Sequence, residues 1–270
     1  MIALLIALGA AMVAPAASAP KVLTVCADPN NLPFSNQAGE GFENKLAELI
    51  AKDMGAKLEY LWWAQRRGYV RNTLNEAKCD IWPGVATEVD MVSTTRPYYR
   101  STYMFVSRSN SPFQGLTLDD PRLAKATIGV QMVGNDHMNT PPAHALAERG
   151  MIDNVRGYML YGDYARPNPP AAIVDAVSSG EVDVAMVWGP LAGYFARRSS
   201  VPLRLEAVTP SLDRGQWPMT YDVSVGVRRQ EPELKAQVQA ILDREAPAIR
   251  DLLQSYGVPT TPPKRDKQKI

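Results

Sequence analysis

The spacing of apolar and polar positions changes repeatedly along the chain, and each change predicts an element. Val22 to Cys26 is a short apolar run with β-branched residues, the pattern of a buried parallel strand. It runs into a polar loop, Ala27 to Ser35, held by Pro29 and Pro33. From Phe42 the apolar residues recur at helical spacing, through Leu46, Leu49, Ile50 and Met54, until Gly55 stops the helix. Lys57 to Leu61 alternates as a second strand, with Trp62 to Gly68 as the loop at its carboxyl end. A helix follows with Tyr69, Val70, Thr73 and Leu74 on one face. A short third strand then covers Cys79 to Gly84. These are two βαβ units, which imply a parallel sheet with helices on both faces.

The pattern then crosses over and restarts. Ser101 to Arg108 alternates and is long enough to pass between lobes. Beyond Leu116, strands are predicted over Ala126–Gln131, Asn154–Leu160, Val182–Trp188 and Leu203–Val208, with helices over Ala143–Arg149 and Ala171–Ser178. Tyr221 to Arg228 reads as a return strand, and Pro232 to Leu253 as helix with a break at Pro247. The expected architecture is α/β, in two lobes of residues 20–106 plus 212–270 and residues 107–211. Two crossings join them, at Ser101, Thr102 and Tyr103 and at Thr209 and Pro210. Such a pair makes a cleft at the domain junction and closes about a hinge. Residues 258–270 are rich in proline and basic residues with little apolar content, and are expected to be disordered.

Composition narrows the function class. The 270 residues carry a formal net charge of +1, which removes the electrostatic case for a nucleic-acid partner. The two histidines and two cysteines lack zinc-ligand spacing, so no metal site or cofactor is expected. Ile2 to Val13 is an unbroken run of small and apolar residues followed by Ala-Pro-Ala-Ala-Ser-Ala, which reads as a secretory signal peptide over residues 1–19. The run is shorter than the roughly 20 residues of a membrane span. The mature chain is therefore expected to be soluble and exported, as a monomer with no stable membrane insertion. Export permits a Cys26–Cys79 disulfide; two buried thiols fit the pattern equally well.

The order of these segments resembles the periplasmic solute-binding proteins of ABC transporters, the type II, extracellular family 3 branch, over nearly the whole mature chain. Four segments resemble a narrower group: Cys26 to Ser35, Trp62 to Gly68, Thr94 to Ser101 and Val187 to Ala196. Together and in order they look like the MoxJ/XoxJ type, solute-binding-like proteins associated with periplasmic quinoprotein methanol dehydrogenases. The resemblance implies a non-enzymatic accessory that binds a PQQ-dependent dehydrogenase, of the lanthanide-dependent XoxF type or the calcium-dependent MoxF type, including its cofactor-free form. Of the two, the XoxJ side is preferred. The alternative is a transporter receptor for a small ligand other than an amino acid. Amino-acid binders of this family place an arginine about nine residues before the Pro-Tyr-Tyr, to hold the substrate carboxylate. Here that count from Pro97 lands on Glu88, which repels a carboxylate.

The candidate site residues lie in the loops at the strand ends. Trp62, Trp63, Trp82 and Trp188 fall at or near carboxyl ends of strands, and with Phe34, Tyr98, Tyr99 and Tyr194 they are expected to form an aromatic groove for a partner segment. Asp28, Asn30 and Asn31 either contact a ligand or form Asx turns that shape the loop. Gln65, Arg66, Arg67 and Arg100, with Arg96, offer recognition of a partner's carboxylates or those of PQQ, against the simpler reading as surface ion pairs. Gln131 ends the first strand of the second lobe. Asp136 and His137 make a polar loop without a nucleophile partner, and Glu88 is the one acid that an enzyme reading would use.

Overall fold

The computed structural model describes residues 21–87, 89–133, 139–161 and 163–262. The expected signal peptide, Glu88, Asp136, His137 and the last eight residues of the tail lie outside the described residues. The chain begins with β1 (Val22–Ala27) and a small hairpin of β2 (Asn30–Asn31) and β3 (Ser35–Asn36), followed by α1 (Phe42–Asp53), β4 (Lys57–Trp62) and α2 (Tyr69–Asn72). It continues through β5 (Ile81–Ala86), β6 (Ser93–Thr94) and β7 (Tyr99–Arg108). The next stretch holds β8 (Ile128–Met132), α3 (Pro141–Ala147), β9 (Val155–Met159), α4 (Ala172–Ser179), β10 (Val184–Trp188), α5 (Gly189–Ala196) and β11 (Leu203–Ala207). The last is a hairpin of β12 (Leu212–Asp213) and β13 (Trp217–Pro218), then β14 (Thr220–Val227), α6 (Pro232–Arg244) and α7 (Ala246–Ser255).

The strands run in the order β4-β1-β5-β14-β7-β10-β8-β9, with β11 beside β7 and β6 beside β14. Strand β7 belongs to both halves. Tyr99 to Thr102 pair with β14, whereas Tyr103 to Ser107 pair with β10 and Met104 to Arg108 with β11. This is the type II periplasmic binding protein fold, two α/β lobes with a cleft between them. Ser101, Thr102 and Tyr103 lie where the pairing of β7 changes partners, and Thr209 and Pro210 lie between β11 and β12. One apolar core joins α1, α6 and α7 to the first sheet, and two more cover the faces of the second.

Local chemistry explains how α1 is set. The Asn44 side chain accepts from the backbone N–H of Gly41 at 3.0 Å and of Asn36 at 3.1 Å, fixing the entry to the helix. Gly41 is required because a Cβ there would overlap the Phe34 carbonyl. Phe42, Leu46, Ala47 and Ile50 then turn a fully buried face to the sheet, roughly 2 kcal/mol for each large side chain. The ring of Phe42 meets Phe34, Tyr99 and Tyr256 edge to face, with centroids at 5.5, 6.1 and 5.9 Å.

Three features differ from the sequence reading or settle it. Cys26 and Cys79 form a disulfide with Cα atoms 5.4 Å apart. Cys79 precedes β5 and lies beside Cys26, because the Asp80 N–H donates to the Thr24 carbonyl and Ile81 pairs with Val25. Residues 189–196 form a helix, α5, where only a strand end was expected; Pro190 in its first turn starts it. Residues 258–262, expected to be disordered, pack across the back of the molecule. Val258 is buried, the Pro259 carbonyl accepts from Ser101 Oγ, and the Thr261 N–H donates to the Arg100 carbonyl. This strap joins the end of α7 to α5: a Cβ at Gly193 would overlap the Gly257 carbonyl, and Tyr256 stacks on Tyr194 at 5.8 Å.

The strap makes Gly193 a sensitive position. Gly193→Ala is expected to destabilise the protein by about 2 kcal/mol or more. Thermal unfolding of the variant, followed by circular dichroism, checks this; an unchanged midpoint would show that the Gly257 carbonyl does not sit against α5.

Candidate functional site

The first lobe presents the loop after β1, the start of α1 and the end of β5. The second presents the end of β10 and the turn after β9. Between them lies a cavity of about 340 Å³. Its walls are largely aromatic: Phe34, Tyr99, Tyr103, Tyr161, Trp188 and Tyr221, with Leu160, Leu191 and Val223. Its polar groups are Asn31, Gln65 and Glu43. The Trp188 ring is inclined steeply to Tyr103, with centroids at 5.3 Å, and to Tyr221, at 5.9 Å. Its backbone N–H donates to Gln131 Oε1 at 3.3 Å, which anchors the end of β10.

Glu43 is the carboxylic acid of this cavity among the described residues. It follows Phe42 on the first turn of α1 and is 6% exposed. Its carboxyl lies against Gly84, where a Cβ would overlap it, and Gly84 holds a left-handed φ of 79°. Burial, reinforced by the negative charge of Asp28, pushes its pKa up to about 8. The acid is therefore mostly protonated at neutral pH when the cavity is empty. Burial likewise pushes the hydroxyls of Tyr99 and Tyr103 well above their ordinary range, so both remain neutral donors.

Asp28 organises the rim. Its Oδ1 accepts from the Asn30 N–H at 2.9 Å, an Asx turn, one of the two readings of this loop. Its Oδ2 accepts from the Gln65 N–H at 2.7 Å and from the hydroxyl of Tyr164, which belongs to the second lobe. Two further contacts cross the mouth. Asn30 Nδ2 donates to the Arg166 carbonyl at 2.9 Å, and the Arg66 guanidinium lies 4.8 Å over the Tyr164 ring. The cleft is closed.

The structure brings together some of the expected residues and separates others. Asn31, Phe34, Gln65, Tyr99 and Trp188 line the cavity, and Tyr103, expected only as a crossing, lines it too. Asn31 Nδ2 donates to Gln65 Oε1 at 3.2 Å. Asp28, Asn30 and Arg66 serve the rim. Of the four tryptophans, Trp188 alone faces this cavity among the described residues. Trp62 stacks on Tyr60 along the edge strand β4, since residues two apart share a face. Trp63 is 41% exposed beneath Lys78, and Trp82 packs on Tyr69 beside the disulfide. Tyr98 is packed behind Tyr99, and Tyr194 is buried against Tyr256. Arg100 pairs with Asp222 at 2.6 Å and Arg96 with Asp243 at 2.5 Å, the simpler reading of both. Arg67 is exposed on the loop after β4, away from the cavity lining, and Gln131 is buried on β8, beside β10.

Sequence reasoning missed Glu43, Tyr161, Tyr164 and Tyr221. Glu43 falls at the start of the helix expected from Phe42, among its polar positions, and Tyr221 within the return strand. Tyr161 and Tyr164 fall in a loop without periodicity, so they carried no signal. Among the described residues there is no group of histidine, cysteine and carboxylate side chains fit to hold a metal, and no helix long and apolar enough to cross a membrane.

Two lobes closed over an aromatic cleft define a solute-binding protein. Residues 23–250 match the bacterial extracellular solute-binding proteins, family 3, and the chain belongs to that family. Within it, the chain is similar to protein MoxJ of Methylorubrum extorquens, 32% identical over 252 residues that cover 89% of this chain and 82% of that one. It is 31% identical to protein MoxJ of Paracoccus denitrificans over 267 residues, 93% of this chain and 94% of the relative. Among solved structures it is similar to the periplasmic binding protein XoxJ from Methylobacterium extorquens AM1, with 34% identity, a TM-score of 0.74, and coverage of 90% of this chain and 100% of that chain.

The buried acid makes stability depend on pH. Glu43 holds its proton in the folded state up to about pH 8 but loses it near its ordinary value of 4.5 when unfolded. Between these values the folded state binds more protons, so rising pH costs stability, and the cost is complete above the folded value. Glu43→Gln is expected to raise stability by a few kcal/mol at about pH 8.5 and to change it little at about pH 4.5. Urea unfolding at both pH values checks this; equal effects at both would refute it. At the rim, Tyr164→Phe removes one of three donors to Asp28. A loss of about 1–3 kcal/mol of closure is expected, read as a larger radius of gyration by small-angle scattering.

Proposed function

We propose that the protein is a non-enzymatic periplasmic accessory of a PQQ-dependent methanol dehydrogenase, of the lanthanide-dependent or the calcium-dependent type, and that it engages its partner through the aromatic cleft. The observation that carries this reading is the length of the resemblance. MoxJ relatives at 31–32% identity are matched over most of both chains, through both lobes, and a chain of XoxJ is covered throughout. The cleft chemistry agrees with it. A wall of tyrosine, tryptophan and phenylalanine offers large apolar area with polar handles, the composition of interface hot spots. The cavity lining includes no arginine or lysine among the described residues, so the cleft lacks the charge that grips an amino acid's carboxylate.

One observation favours a second reading, a transporter-linked receptor for a small ligand. The cleft is closed at its mouth through Tyr164, Asn30 and Arg66 over a cavity of about 340 Å³, which suits a small molecule better than a peptide segment.

Affinity capture of the tagged protein from the periplasm of its methanol-grown host separates the two. A quinoprotein dehydrogenase recovered above an empty-tag control is expected, with recovery reduced at least tenfold in Trp188→Ala. Absence of the dehydrogenase, together with a small molecule retained in native mass spectrometry, would overturn the accessory role in favour of the receptor.

A further inference from the structure

We propose that the outer edge of β4, with the exposed ring of Trp63 at its end, is a docking edge that takes an extended, acidic segment of a partner protein as an added strand. The inference deepens the accessory reading and rests on it: it gives the dehydrogenase a second contact on this chain, outside the cleft.

The first support is the state of the backbone. Among the described residues β4 pairs with β1 alone and ends the order of the sheet. The Lys57 N–H donates to the Lys21 carbonyl at 2.7 Å and the Trp63 N–H to the Ala27 carbonyl at 2.9 Å. Residues 57, 59, 61 and 63 therefore turn their backbone groups to β1, and Leu58, Tyr60 and Trp62 turn theirs outward. A row of outward N–H and C=O groups is a template for a further strand.

The second support is how little guards this edge. Sheet edges are commonly blunted by charge, proline or a bulge. β4 pairs with β1 without a register shift, and its two charged side chains, Lys57 and Glu59, neutralise each other at 2.8 Å. The carboxyl half, Tyr60-Leu61-Trp62-Trp63, carries no charge. Tyr60 and Trp62 stack at 4.6 Å on one face, both half-buried, and Trp63 is 41% exposed on the other.

The third support is that the exposed ring is held in place. Its backbone is tied to β1, and the Lys78 ammonium lies 5.8 Å from its centroid. Lys78 precedes Cys79, whose disulfide with Cys26 fixes that turn to β1 as well. A tryptophan ordered before binding loses little entropy when a partner covers it.

Charge selects the occupant. The charged side chains between Trp63 and Cys79 are Arg66, Arg67, Arg71, Glu76 and Lys78, all exposed and one of them acidic. Glu76 pairs with Lys78 at 2.6 Å. The edge thus opens beside a basic loop, where a segment with acidic residues meets complementary potential. An antiparallel β4 of a second copy would set Lys57 and Glu59 there, with no net charge to offer.

The test uses the purified mature protein and the quinoprotein dehydrogenase of its own host, with affinity read by calorimetry. Trp63→Ala and Trp62→Lys are each expected to weaken binding about tenfold or more, with far-UV circular dichroism unchanged. Arg71→Glu is expected to weaken it and to lessen its loss with added salt. Hydrogen exchange supplies a readout that a purely structural role would not move. The amides of Leu58, Tyr60 and Trp62 are expected to exchange fast in the free protein and slowly in the complex. Full binding by Trp63→Ala and Trp62→Lys, or the three amides left unprotected in the complex, overturns the docking edge and leaves the accessory reading standing. No binding by the unsubstituted protein overturns both. A dimer in sedimentation that Trp62→Lys abolishes gives the edge to a second copy and overturns the partner segment.

Discussion

The carboxylate of Asp28 is the interaction on which the cleft depends. It is 1% exposed and holds three donors from three segments: its own loop, the loop after β4, and Tyr164 of the opposite lobe. A buried carboxylate is tolerated when its lone pairs are filled, and charge-assisted bonds to fixed N–H groups fill them. One group thereby shapes the loop, positions Gln65 at the cavity and ties the lobes together at the front. Its charge also reaches Glu43 and helps keep that acid protonated.

The back of the molecule is held by different physics. Residues 257–262 run from α7 across to α5 and β7, and the contact is made by close packing, rings and neutral hydrogen bonds rather than by ion pairs. Phe42 touches Tyr256, and Tyr256 stacks on Tyr194, so a line of rings passes from the core of one lobe to a helix of the other. Apolar contacts of this kind are not screened by salt, whereas the front contacts involve an ionised group.

Most of the fold was legible because its signals are local. Strand runs, the helical spacing of α1 and the break at Pro247 all follow from periodicity and proline chemistry, and the structure places elements within a few residues of each. The candidate site was legible only in part, because a strand's end locates a side chain near the cleft without fixing its face. Trp62 and Trp82 sit at correct strand ends but turn toward Tyr60 and Tyr69. The strap was missed for a related reason. Its composition is that of a disordered tail, and what orders Val258 and Pro259 is the pair of glycines at 189 and 193, far away in sequence. Glu43 was hidden because a helix-start acid reads as a dipole partner, and only the fold buries it against Gly84.

The electrostatics of the cleft bear on which ligands it excludes. The arginines that looked suited to carboxylates are committed or displaced: Arg100 to Asp222, Arg96 to Asp243, Arg66 to the Tyr164 ring. What remains inside is an acid, with a second acid behind it. An anion entering this space meets no compensating charge among the described lining residues and meets repulsion whenever Glu43 ionises. A polyanion such as PQQ is therefore poorly suited to the cavity, and contact with a quinoprotein does not require the quinone to pass through it. Specificity arises from the repulsive element as much as from the rings, since an aromatic wall alone admits any flat or apolar group. The same acid that costs stability in the empty protein thus bars anions from it.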